Sequence, residues 1–240
     1  MIKYQIYNTK EETAKALAHD LASKLQKTKG EKVTIALSGG STPFIMFDAL
    51  VSNYSDTINW ENIHFFWVDE RCVVPSSSES NYGNTKKSLF DKIDIPAANI
   101  HRVLGEENPN SEAIRYSKEI ADHVPSINGI PQFDIVLLGM GDDGHTASIF
   151  PPEIDLLKAR ENAVVGKNPY SGQERITLSG TVINNGKQIF FLVTGKSKAT
   201  ILEQIVTKND DYLKFPAAHI SADLNKTLWY LDKDAAPFLT

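Results

Sequence analysis

Val33-Thr34-Ile35-Ala36-Leu37-Ser38-Gly39-Gly40-Ser41-Thr42-Pro43 is the stretch on which the reading of the fold turns. Its first five residues form a short, β-branched and nearly uninterrupted apolar run, the mark of a strand covered on both faces. The next six bring two glycines, three hydroxyl side chains and a proline. Thr42 or Ser41 suits an N-cap and Pro43 the first helical turn, so a helix is expected over Phe44–Val51. Adjacent glycines let backbone approach an anion closely, and the helix behind them directs free N–H groups and a positive dipole end at the same point. Ser38, Gly39, Gly40, Ser41 and Thr42 are therefore candidate phosphate-binding residues. A tight turn with a good cap is the plainer alternative, and the Lys-Ser/Thr ending of a P-loop is missing.

The same alternation extends in both directions. Upstream, Ala14, Leu17, Ala18, Leu21 and Leu25 recur at helical spacing within Lys10–Thr28, and Gly30 is expected to stop that helix. Downstream, Ile63–Val68, Phe133–Leu138 and Gln188–Val193 read as buried strands, and Thr227–Leu231 as an edge strand. Helical patterns around Ser111–His123 and Ser197–Val206 lie between them. Apolar strands separated by helices imply an α/β, Rossmann-like three-layer fold, a mainly parallel sheet covered by helices on both faces. With no repeat or long linker, 1–240 is expected to be a single domain.

In such a sheet, ligands bind outside the carboxyl ends of the strands. Three polar segments fall there and should converge on one cleft: Ser38–Thr42, Asp69-Glu70-Arg71 and Gly139-Met140-Gly141-Asp142-Asp143-Gly144-His145-Thr146. Three charges after Phe65-Phe66-Trp67-Val68 are costly unless paired or used. Arg71 offers a planar fork to a substrate oxygen, while a structural ion pair is the competing reading. The third segment formally contains G-x-G-x-x-G, yet Pro151-Pro152 follows too soon for the helix that a dinucleotide site requires. It reads instead as a turn presenting Asp143 and His145 at the start of a short helical turn. Asp143 can fix the imidazole's tautomer, and His145 suits a general base. Arg175 and Lys198 sit at strand or helix boundaries and could add charge to a bound phosphate.

Several classes are excluded or disfavoured. A formal net charge of −5 gives no reason to expect a nucleic-acid partner. Cys72, the single cysteine, permits neither an intrachain disulfide nor a multi-cysteine zinc site, and is read as incidental. No G-x-S-x-G elbow or H-E-x-x-H helix occurs, and the six histidines are scattered, so no catalytic metal is indicated. No apolar run reaches the roughly 18 residues of a membrane span, and a cytoplasmic location is expected. The oligomeric state is not legible, with a monomer as the default.

Taken together, these segments resemble the glucosamine-6-phosphate isomerase/6-phosphogluconolactonase family, on its lactonase side. The resemblance runs in order through Ala36–Pro43, Trp67–Arg71, Glu79-Ser80-Asn81-Tyr82-Gly83, Gly139–Pro151, Arg175–Leu178, Val193-Thr194-Gly195 with Lys198-Ala199, and Trp229–Asp232. The family's isomerase branch carries a glutamate shortly after its histidine, where this sequence has Phe150. The resemblance implies cofactor-free hydrolysis of a small-molecule sugar-phosphate lactone, 6-phospho-D-glucono-1,5-lactone, to 6-phosphogluconate. It implies His145 as the base that activates water, oriented by Asp143. Arg71 would face the ring oxygens or oxyanion, and Asp69 would hold Arg71 or a sugar hydroxyl. The Ser38–Thr42 loop, Arg175 and Lys198 would grip the phosphate. The isomerase activity and a catalytically silent sugar-phosphate binder are the alternatives.

Overall fold

The computed structural model describes residues 2–28, 30–209, 211–220 and 226–239. In chain order the strands are β1 (Lys3–Tyr7), β2 (Val33–Leu37), β3 (Ile63–Trp67), β4 (Asp69–Arg71), β5 (Ser126–Ile127), β6 (Ile130–Pro131), β7 (Ile135–Leu138), β8 (Ala163–Lys167), β9 (Glu174–Leu178), β10 (Gln188–Val193) and β11 (Thr227–Asp232). The helices are α1 (Lys10–Leu25), α2 (Ser41–Tyr54), α3 (Asn81–Ser88), α4 (Pro109–His123), α5 (Gly180–Asn184) and α6 (Ala199–Thr207). Six strands form one sheet in the order β1-β11-β10-β7-β2-β3, every pair parallel. Connections that advance toward β3 place α1 and α2 on one face by the right-handed crossover rule, and those returning toward β1 place α5 and α6 on the other. The expected α/β architecture is the observed one.

Its strands are apolar for the anticipated reason. Every residue of β2 and β7 is buried. Phe66, Trp67, Phe133, Phe190, Phe191 and Trp229 are among the bulkiest core side chains, and Phe191 stacks on Trp229 with ring centroids 3.9 Å apart. Tyr116 of α4 locks that helix to the end of β3: its hydroxyl donates to the Trp67 carbonyl (2.9 Å) and accepts from the Trp67 N–H (2.8 Å).

Several local expectations need correction. β11 is not an edge; it lies between β10 and β1, and Trp229, Tyr230 and Leu231 are fully buried. On that side of the sheet the edge is β1, whose alternating, half-exposed pattern is typical of a strand covered on one side only. α1 stops at Leu25, short of Gly30, its last turn closed by the N–H of Gln26 donating to the Ala22 carbonyl. Helix α2 starts earlier than expected, at Ser41, with Gly40 as its N-cap at a φ of 117°. No side chain caps it; the Thr42 hydroxyl instead bonds that of Thr194 across the mouth of β10 (2.8 Å). The segment after His145 is not a helical turn. Thr146 and Ile149 form an isolated bridge, and Ala147 takes a left-handed φ of 49°. The first helical residues come only at Pro151, in a 3₁₀ segment broken by a kink at Glu153.

Candidate active site

Strands β7, β2 and β3 are adjacent, so the loops leaving their carboxyl ends meet. A cavity of about 520 Å³ opens there, lined by Ser38 and Gly39 after β2, Asp69 and Arg71 of β4, and Gly139 to Asp143 with His145 after β7. Arg175 and Lys198 enter from β9 and from the turn before α6. Gly40, Ser41 and Thr42 line an adjoining hollow that shares Gly39, Asp142 and Lys198 with the first. The eleven site residues named from sequence thus fall into two connected spaces rather than one.

His145 is built into the loop by three constraints. Its Nδ1 lies 2.6 Å from Asp143 Oδ1, and the same oxygen accepts the His145 backbone N–H at 3.0 Å. Its ring packs on Phe150 with centroids 4.4 Å apart. Gly141 presses the other side so closely that a Cβ there would come within 2.1 Å of the ring. Engagement of Nδ1 leaves Nε2 as the nitrogen available to the cavity. Burial alone would raise the Asp143 pKa. Hydrogen bonds from the His145 ring and backbone, the imidazole charge and the Tyr170 hydroxyl (3.0 Å to Oδ2) outweigh it and hold the carboxyl at about 2. The carboxylate is therefore ionised at neutral pH and fixes the tautomer that leaves Nε2 free to accept a proton.

The charged triplet separates into three roles. It is a strand, β4, paired antiparallel with β9 so that Arg71 stands directly opposite Arg175. Glu70 turns away from the cavity. Its oxygens accept from the backbone N–H of Arg71 (2.7 Å), Asn81 (2.8 Å) and Tyr82 (2.7 Å) and from the Ser80 hydroxyl (3.1 Å), a carboxylate at the α3 N-terminus. Burial raises its pKa against the pull of those bonds. Asp69 does not hold Arg71; its Oδ2 accepts from Ser148 Oγ at 2.7 Å. Arg71 Nη1 donates to the Glu79 carbonyl at 2.7 Å, and Arg175 Nη1 reaches Ser148 Oγ at 3.4 Å. Both arginines keep a buried Nε without a partner. Burial lowers the Arg175 pKa, and the Arg71 charge adds to that effect against the pull of Asp69. Two facing guanidinium groups with unpaired donors, in a cavity that Lys198 also lines, suit an anionic ligand. Lys198, its pKa lowered by burial, pairs with Asp142, which also accepts from the Ser197 hydroxyl at 2.9 Å.

Sequence reading missed Asn81, Asn168, Tyr170 and Ser148. Asn81 lines the cavity, donates through Nδ2 to the Asp69 carbonyl (2.8 Å), and crowds Gly39 so closely that a Cβ there would lie 1.9 Å from Asn81 Oδ1. It falls within the Glu79–Gly83 segment of the resemblance, where no role was assigned to it, and it directly follows Ser80, the N-cap of α3, whose hydroxyl accepts the Gly83 N–H. Tyr170 arrives on the Asn168–Gly172 turn, whose Asn168 side chain accepts from the Tyr170 and Ser171 N–H groups. Asn168, Pro169 and Gly172 are turn-forming residues, but nothing local says where the turn lands.

The geometry defines a class of site: an aspartate-oriented histidine facing a pocket that holds Arg71, Arg175 and Lys198, at the carboxyl edge of an open α/β sheet. The family profile described as glucosamine-6-phosphate isomerases/6-phosphogluconolactonase matches residues 8–229, and the chain belongs to that family. A protein of Haemophilus influenzae named 6-phosphogluconolactonase is 50% identical over 209 residues, covering 86% of this chain and 88% of its own. A crystal structure titled as the devB protein superposes with a TM-score of 0.93 at 45% identity, over 100% of both chains. The 6-phosphogluconolactonase of Trypanosoma brucei superposes at 0.85 with 25% identity, over 100% of this chain and 99% of that one.

Proposed function

We propose that this chain hydrolyses 6-phospho-D-glucono-1,5-lactone to 6-phosphogluconate, an oxidative pentose phosphate reaction, and that His145 is its base. The observation that carries this reading is the 2.6 Å pair of His145 and Asp143 opening onto a cavity that Arg71, Arg175 and Lys198 make cationic. His145 Nε2 takes a proton from water as the water oxygen bonds to the lactone carbonyl carbon. The carbonyl electrons move onto oxygen, where Arg71 meets the developing charge. As the tetrahedral centre collapses, the bond from that carbon to the ring oxygen breaks and His145 returns its proton to the leaving oxygen. Asp143 keeps the imidazole in register through both transfers. Asp69, held by Ser148, is left to accept from a sugar hydroxyl.

Arg175, Lys198 and the Ser38–Thr42 loop hold the 6-phosphate and so position the reacting carbonyl. Phe150 supports the lactonase reading over the isomerase one. It is 1% exposed against His145 and offers no proton where the isomerase branch has a carboxylate. The chain acts as one domain over 1–240, as a cytoplasmic monomer. No helix among the described residues is long and apolar enough to cross a membrane. A coupled assay on freshly generated lactone, with glucosamine 6-phosphate run in parallel, tests the reading. Lactone turnover that His145→Ala abolishes is the expected result. Turnover of glucosamine 6-phosphate alone, or of neither, overturns it.

A further inference from the structure

A second histidine cluster lies away from the cavity, beside β3, the last strand of the sheet. His64 is the second residue of β3 and therefore sits toward the amino ends of the strands, whereas the catalytic loops leave the carboxyl ends. The backbone N–H of His101 donates to the Phe65 carbonyl (2.8 Å), which docks His101 alongside β3. Glu119 and His123 stand one helical turn apart on α4, so both project toward His101. His101 Nδ1 is 2.6 Å from Glu119 Oε1, and His123 Nε2 is 3.5 Å from the same oxygen. One ligand atom from each of the three residues falls within 4.8 Å of the others.

We propose that His101, Glu119 and His123 bind one zinc ion, a site distinct from the catalytic cavity. Zinc accepts two imidazoles and a carboxylate, with nitrogen and oxygen ligands at about 2.0–2.2 Å. Tetrahedral ligands at that radius stand roughly 3.3 Å apart, so the observed spacings need only small side-chain shifts. The outer partner is present as well: His101 Nε2 lies 2.8 Å from His64 Nδ1. When Nδ1 takes the metal, His101 carries its proton on Nε2 and donates it to His64, as zinc-bound histidines do to an outer acceptor. His123 is the last residue of α4, where the helix dipole favours a cation. Rings fix the buried ligand in place: Phe66 stacks on His101 with centroids 4.3 Å apart, at an interplanar angle of 7°. Positive charge from Arg115, 3.5 Å from the second oxygen of Glu119, and from nearby Lys32 opposes the ion. Affinity should therefore be moderate. The side chains of Glu119 and His123 are 29% and 41% exposed, which leaves the fourth position to water and a path for the ion. Bound there, zinc would tie the end of α4 to the edge of β3.

The test is a calorimetric titration of chelator-stripped full-length chain with zinc chloride alone. Expected is one ion per chain, retained in His145→Ala and weakened at least tenfold in both His123→Ala and Glu119→Gln. Cobalt(II) should give the visible absorption of a four-coordinate site in the wild type and lose it in the same two variants. His123 is partly exposed at a helix end, so His123→Ala should keep the wild-type melting temperature without metal. No binding to the wild type, binding unchanged in those two variants, or binding lost in His145→Ala would each overturn the assignment.

Discussion

Two histidine–carboxylate pairs in this molecule have the same separation, 2.6 Å from Nδ1 to oxygen, and opposite prospects. His145 and Asp143 are two residues apart in a glycine-framed loop, and the imidazole's other nitrogen faces a cavity. His101 and Glu119 are 18 residues apart on different elements, and the other nitrogen of His101 is taken by His64. A carboxylate beside an imidazole does not by itself make a base. What decides is whether the second nitrogen can meet a proton donor on a substrate or a water. In the first pair it can; in the second it is committed to a neighbouring ring, an arrangement suited to holding an ion.

The largest expected effect separates the pairs outright. His145→Ala should lower lactone kcat by about 10⁴-fold, the upper range for removing a general acid–base group, while binding of 6-phosphogluconate persists. His123→Ala should leave turnover within about twofold, since it touches no residue of the cavity. Comparable losses in both would dissolve the distinction.

The carboxylates offer a finer contrast. Asp143→Asn keeps the ring but replaces the carboxylate with an amide whose NH2 can face Nδ1 and favour the wrong tautomer, and kcat should fall on the order of 10²-fold or more. Glu119→Gln should leave kcat unchanged. If the glutamine variant loses activity in proportion, the second pair reaches the cavity through α4, and the comparison fails.

How much of this was legible in advance depended on how local each feature is. The β2 loop, the Asp143/His145 turn and the buried strands are set by consecutive residues, and each was readable. β11 was mistaken for an edge because partner order is a property of the whole sheet; only the burial of Trp229 and Tyr230 reveals the flanking β1. The N-cap of α2 was placed one or two residues late because Thr42 is diverted to Thr194, 152 positions away. Glu70 read as part of a charged site, yet it serves the α3 N-terminus, a partner defined only by the fold. The His101 cluster was invisible for the same reason: His64 and His101 are 37 residues apart, and no spacing rule joins them.

In the proposed mechanism the phosphate is held away from the cavity-side pair, so binding and chemistry should come apart. Arg175→Ala and Lys198→Ala are each expected to raise KM about tenfold with a smaller change in kcat, measured on fresh lactone. Arg175 should show the larger effect, because Lys198 is already partly neutralised by Asp142. A pure kcat loss in Arg175→Ala would move that guanidinium from the phosphate to the reacting carbonyl, beside Arg71.

The smallest expected effect concerns acid stability and belongs to Asp143 alone. Its folded pKa of about 2 lies below the ordinary 3.8, so the unfolded chain binds more protons across that interval. Its contribution to stability is therefore complete above about pH 4 and is lost as pH falls toward 2. Asp143→Asn removes the titrating group, so the variant's chemical-denaturation midpoint should fall less steeply than the wild type's over that window. Above pH 5 the two curves should run parallel, offset only by the lost ionic hydrogen bonds. A divergence that begins well above pH 5 instead would mean that a group other than the Asp143 carboxylate governs the acid response.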